Sequence, residues 1–118
     1  MKTRQQELDE IEAAIAAPLA PATSREALVM LAATRIADVG HMVNRHKYGI
    51  GRGQATKRQV ALATQVAEKL MTQVEGHYIA AQMDLQHAVL DRAVRKLLGT
   101  YLGTFYTNPP EVPGQKRW

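Results

Sequence analysis

Residues 23–47 read TSREALVMLAATRIADVGHMVNRHK. Leu28, Leu31, Ala32, Ile36, Val39 and Val43 recur at steps of three and four, so they share one face of a helix with 3.6 residues per turn. A strand would need strict alternation, and none is present. Thr23 is followed three residues later by Glu26, the pattern of a capping box, so the helix is expected to start at Thr23 or Ser24. It is expected to stop near Lys47, just before Gly49, with basic side chains in its last turn complementing the negative end of the dipole.

Upstream, Pro18 and Pro21 separate this helix from an earlier one, because neither can donate the backbone N–H that a helix interior needs. The earlier helix spans about Thr3 to Ala17. Thr3 supplies a cap, Glu7, Asp9 and Glu10 lie near its positive end, and Leu8, Ile11 and Ile15 form a single apolar stripe. Downstream, Ala55 or Thr56 opens a third helix with Val60, Ala63, Ala67, Leu70 and Val74 on one face, and Glu75-Gly76 interrupts it. A fourth helix runs from about His77 to Phe105. It carries two apolar stripes, one through Ala81, Leu85, Val89, Leu97 and Tyr101. The other runs through Ile79, Met83, Leu90, Val94, Leu98 and Leu102. A helix apolar on two sides is buried on two sides, so the Leu90–Leu102 stripe is expected to face a second subunit. Gly99 and Gly103, four apart, predict close approach by another backbone, since each glycine costs about 1 kcal/mol against alanine in a helix.

The fold class is therefore all-α: a small bundle of three long helices plus a short N-terminal helix. Residues 1–106 form one helical domain. Residues 107–118, with three prolines and a terminal Trp118, are expected to be an extended or disordered tail. The 118 residues, 46% of them apolar, suit one domain of this kind.

Composition narrows the function. Cysteine is absent, which excludes a disulfide framework and thiolate-bound zinc. His41, His46, His77 and His87 have no metal-ligand spacing, so no metal and no cofactor are expected; the histidines are expected at the surface or at a subunit interface, with His46 a candidate phosphate contact. There is no apolar run long enough to span a bilayer, and the first residues are too polar for a signal peptide. A cytoplasmic location is expected. The net charge of +4 is unevenly spread. Residues 1–38 are mildly acidic, whereas residues 39–67 carry five lysines and arginines and no acidic side chain.

The centre of the basic stretch is Arg45-His46-Lys47-Tyr48-Gly49-Ile50-Gly51-Arg52-Gly53-Gln54-Ala55-Thr56-Lys57-Arg58. Arg45, Lys47, Arg52, Lys57 and Arg58 are candidate phosphate contacts, and the helix that starts beside them offers free N–H groups. Tyr48 offers a face for stacking on a base. Gly49, Gly51 and Gly53 let a backbone come close. The glycines match neither the P-loop, which needs Gly-Lys-Ser/Thr after a strand, nor the dinucleotide fingerprint. No catalytic motif is present, so no enzyme activity is expected. The connection is also longer and richer in glycine than the turn of a helix-turn-helix.

These residues point to nucleic-acid binding without strong sequence specificity, with single-stranded DNA favoured, by a homo-oligomer. Arg92, Arg95 and Lys96 share one face of the fourth helix and would extend the basic surface if that helix passes the loop. The alternative is a helical assembly or adaptor protein that works through apolar faces.

Overall fold

The computed structural model describes residues 2–49, 54–77 and 83–107. Among these there are four helices and no strands: α1 (Arg4–Ala16), α2 (Arg25–Tyr48), α3 (Lys57–His77) and α4 (Met83–Thr107). Gly51, Arg52, Gly53 and the tail from 108 to 118 lie outside the described residues.

Local chemistry accounts for each boundary. Thr3 Oγ1 accepts from Gln6 N at 3.0 Å and Gln6 Oε1 accepts from Thr3 N at 2.8 Å, a reciprocal box at the start of α1. Thr56 and Gln59 repeat it at the start of α3, at 3.1 and 2.8 Å. The cap of α2 is Ser24, whose Oγ accepts from Ala27 N at 3.1 Å. The expected Thr23–Glu26 box does not form. Glu26 sits instead in the first turn, where it complements the positive end of the helix. Gly49 ends α2 in the left-handed region at φ 68°, and its N–H bonds to the Arg45 carbonyl at 2.9 Å. This is the backbone conformation for which glycine carries no steric penalty. Glu75-Gly76 does not interrupt α3, which continues to His77.

α2 and α3 are antiparallel. Arg25 at the start of α2 forks onto two carboxylates near the end of α3: Glu75 at 2.8 and 3.1 Å and Glu68 at 3.0 and 3.3 Å. Hydrogen bonds to Glu75 and then to Glu68 raise the guanidinium pKa further above its ordinary value. α1 runs back along α2. Its start is tied to the end of α2 by His46 Nδ1, which donates to Glu7 Oε1 at 3.2 Å. Its end is tied to the middle of α2, where Arg35 donates to the Ala17 carbonyl. The 17–24 connection then binds α4. Leu19 N donates to Asp91 Oδ1 at 3.0 Å, and His87 Nε2 donates to the Ala20 carbonyl at 2.9 Å. The second oxygen of Asp91 takes Arg95, one helical turn on.

The core lies between α2, α3 and α4. Leu28, Ala32, Ala33 and Val39 of α2 are buried against Ala67, Met71 and Val74 of α3 and Leu90, Val94 and Leu98 of α4. Here the reading of α4 needs correction. Leu90, Val94 and Leu98 are at most 1% exposed within a single chain, so they are not a surface left for a second subunit. The other stripe is the outer one: Leu85 is 46% exposed, while Val89 and Leu97 are half-buried at the edge of the core. Val60 also differs from expectation, lying at the surface. Gly99 has open space where a Cβ would stand, so no neighbour among the described residues requires it to be glycine.

These placements make two predictions. Leu90→Ala removes a fully enclosed side chain and should cost about 2–5 kcal/mol, whereas Leu85→Ala should cost well under 1 kcal/mol; urea unfolding of both variants checks the order. Arg25→Ala should cost about 1 kcal/mol, since the clamp is bidentate to both partners but about a third exposed. That cost should shrink when unfolding is repeated in molar salt, because screening weakens an exposed ion pair in the native protein.

Candidate nucleic-acid interface

The end of the bundle where α2 stops and α3 starts collects the basic residues expected from sequence. Arg45, Lys57 and Arg58 are exposed, and none forms an ion pair with a described residue. Lys47 is half-buried, and its Nζ lies 5.2 Å from the centroid of the Tyr48 ring. That contact is a cation–π pair worth roughly 0.5–1 kcal/mol at an exposed position, and it holds the ring at the helix end. Tyr48 itself is 51% exposed, the orientation stacking requires. Gly49 makes the left-handed exit described above.

α3 lacks the carboxylate that offsets the first-turn cations of α1 and α2, Arg4 and Arg25. α1, α2 and α4 carry Glu7, Glu26 and Asp84 in their first turns, whereas α3 has no acidic residue there and opens on Lys57 and Arg58. Positive charge at a helix N-terminus is unfavourable by roughly 0.3–1 kcal/mol per residue. An anion bound between these two side chains and the free N–H groups of the first turn would reverse the sign of that term.

The other histidine and arginine expectations fare differently. His46 is buried and bonded to Glu7, so it does not reach out to a phosphate. Arg95 is held by Asp91 beside the 17–24 connection, so it does not join the 45–58 cluster. Arg92 and Lys96 are exposed on the same helix.

Two features of this end were not foreseen. His41 is only 5% exposed, so it is not a surface residue, and neither ring nitrogen has a hydrogen-bond partner among the described residues. It sits in the wall of a cleft of about 490 Å³ between the second half of α2 and the beginning of α3. Thr34, Asp38, His41 and Arg45 line the cleft from α2, with Met42; Gln54, Ala55 and Val60 close it from the other side. On its far side His41 borders a second, shallower groove, floored by Ala37 and Gly40 and flanked by Leu62 and Val66, with no lysine, arginine or carboxylate in its lining. The spacing of Asp38, His41 and Arg45 at i, i+3 and i+7 was the available signal for the cleft. A histidine inside an apolar stripe was the signal for its burial.

No family model, no curated protein and no solved structure matches this chain. Among the described residues, no helix is long and apolar enough to cross a membrane.

Proposed function

We propose that this chain is a cytoplasmic nucleic-acid-binding protein that grips single strands, DNA in preference, without strong sequence specificity, and that it acts by binding rather than catalysis. The observation that carries this reading is the start of α3, where Lys57 and Arg58 stand at a positive helix end beside exposed Tyr48 and Arg45, the three cations having no ion pair among the described residues. The arrangement is unfavourable for folding alone and favourable for an anion. A strand would lay its phosphates along Arg45, Lys57 and Arg58 and stack one base on Tyr48, with Lys47 steadying the ring.

A homo-oligomeric or adaptor role has a separate support. The groove of Ala37, Gly40, Leu62 and Val66 is apolar, uncharged and open, and Leu62 and Met30 are large exposed apolar side chains on the two helices that form it. That surface, and not the Leu90 stripe, is where a protein partner or second copy would dock. Fluorescence anisotropy with a labelled single strand at two salt concentrations separates the two roles. Affinity that falls steeply with salt supports strand binding. No binding even at low salt supports the adaptor.

Two variants test the site itself. Lys57→Ala with Arg58→Ala should weaken strand binding and lower the log–log salt slope by about 0.7 for each phosphate no longer neutralised. The same variant should be equally or slightly more stable to urea, because it removes positive charge from a helix start. Unchanged affinity would move the interface elsewhere. Tyr48→Ala should cost about 1–3 kcal/mol on a single strand and much less on a duplex of equal length, while Tyr48→Phe should bind normally, since stacking uses the ring face. Equal losses on both ligands would leave only generic charge attraction.

A further inference from the structure

The basic end of the bundle has two unequal halves. At the start of α3, Lys57 and Arg58 have no carboxylate in their turn and no ion pair among the described residues. The end of α2 has different surroundings. There Arg45 shares a hollow of about 80 Å³ with Lys2 and with Glu7 and Glu10 of α1, together with Ile11 and Met42. Both carboxylates are held in place. Glu7 Oε1 accepts from Nδ1 of His46, the next residue after Arg45, at 3.2 Å, and Glu10 Oε2 accepts from Lys2 Nζ at 2.9 Å. Ile11, 1% exposed, anchors the same turn of α1 in the core.

Charge within this hollow is balanced, Lys2 and Arg45 against Glu7 and Glu10. Over residues 2–12 the excess is acidic, with Lys2 and Arg4 against Glu7, Asp9, Glu10 and Glu12. Arg45 lies beyond ion-pair distance of both carboxylates in the hollow, so its donors stay open to a phosphate. A hollow this small nevertheless keeps the three groups within a Debye length, about 10 Å at 0.1 M salt. A phosphate that reaches Arg45 therefore meets two carboxylates at close range and is repelled by them. One that reaches Lys57 or Arg58 meets none in the first turn of α3.

We propose that this face of α1 is an autoinhibitory contact, in which Glu7 and Glu10 weaken the hold of Arg45 on a bound strand. This deepens the strand-binding reading and rests on it for the nature of the ligand. The start of α3 supplies the unopposed grip, and α1 sets how much the α2 side adds to it.

The test uses the full chain and a labelled oligothymidylate at low salt, followed by fluorescence anisotropy. Glu7→Gln keeps an acceptor for His46 Nδ1 and removes only the charge. It should bind the strand about threefold tighter than the unaltered chain, the order expected of one like-charge contact in water. Glu10→Gln, at an exposed position, should act in the same direction, and it decides the matter if Glu7→Gln loosens α1. Glu26→Gln makes the same change in net charge at the far end of α2, about 28 Å from Arg45 at 1.5 Å per residue, and should leave affinity unchanged. In an Arg45→Ala background the gain from Glu7→Gln should disappear, since the double-mutant cycle isolates the coupling between the two sites. An equal gain from Glu26→Gln, or a gain that survives Arg45→Ala, would overturn the proposal. Strand binding that neither Glu7→Gln nor Glu10→Gln strengthens would also overturn it, and the strand-binding reading would stand. If no strand binds to the unaltered chain or to either variant, both fall. Binding that emerges only once Glu7 or Glu10 is neutralised supports both.

Discussion

Everything in this bundle is arranged around the enclosure of α2. It is the element against which α1, α3 and α4 all pack, and its buried residues fall on more than one side: Leu28, Ala32 and Val39 together with Val29, Ala33 and Ile36. A helix wrapped in this way can carry charge in its middle only on the side left open, as Arg35 and Asp38 do. Alanines at 32, 33 and 37 keep the surrounding helices close. Its other charged side chains lie towards the ends. At the start, Arg25 forms the clamp to Glu68 and Glu75. At the other end, Arg45, Lys47 and Tyr48 emerge beside the beginning of α3. The core thus gathers charge at an end of the molecule with no reference to any ligand. Ligand chemistry enters only through which charges stay unpaired there.

How legible this was depended on the range of the interactions. Caps are local, and the starts of α1 and α3 were readable because Thr3 with Gln6 and Thr56 with Gln59 close rings of hydrogen bonds over three residues. The stop at Gly49 was readable for the same reason. The start of α2 was ambiguous by one residue because Thr23 and Ser24 are both competent hydroxyls, and the glutamate that suggested the first went to the dipole instead. The all-α class followed from periodicity alone.

The faces of α4 were not legible, and the reason is physical. Periodicity reveals that Leu90, Val94 and Leu98 share a stripe and that Leu85, Val89 and Leu97 share another. Both are comparably apolar. What decides between them is the docking of the 17–24 connection, where Leu19 N and the Ala20 carbonyl bond Asp91 and His87. These partners are 72 and 67 residues apart in the chain, and no window of sequence contains both. The burial of His46 was hidden likewise, because its partner is Glu7 from α1. At the candidate site, the exposure of Arg45, Tyr48, Lys57 and Arg58 agrees with their sequence reading, whereas Asp38 and His41 were signalled only by their spacing along α2, which does not show that α3 closes over it.

The start of α3 is where local folding rules and the proposed binding role disagree most. A carboxylate in its first turn would stabilise the helix, as in the three others, and nothing in the surrounding packing forbids one, since Lys57 and Arg58 are both exposed. α1 and α2 also open on a cation, Arg4 and Arg25, but offset it with Glu7 and Glu26; a start that leaves two cations without such an offset is marked as serving something besides stability. The neighbouring cap argues that the helix end must nevertheless be held still. Thr56 and Gln59 satisfy each other's backbone N–H, which leaves the other N–H groups of the first turn oriented outward and fixed. A rigid, positively charged helix end beside an exposed aromatic ring has little conformational freedom left to lose when an anion arrives, and that lowers the entropic cost of binding. The box therefore supports both ends of the argument: it offsets part of the destabilisation caused by two misplaced cations, and it preorganises the groups that an incoming phosphate would meet.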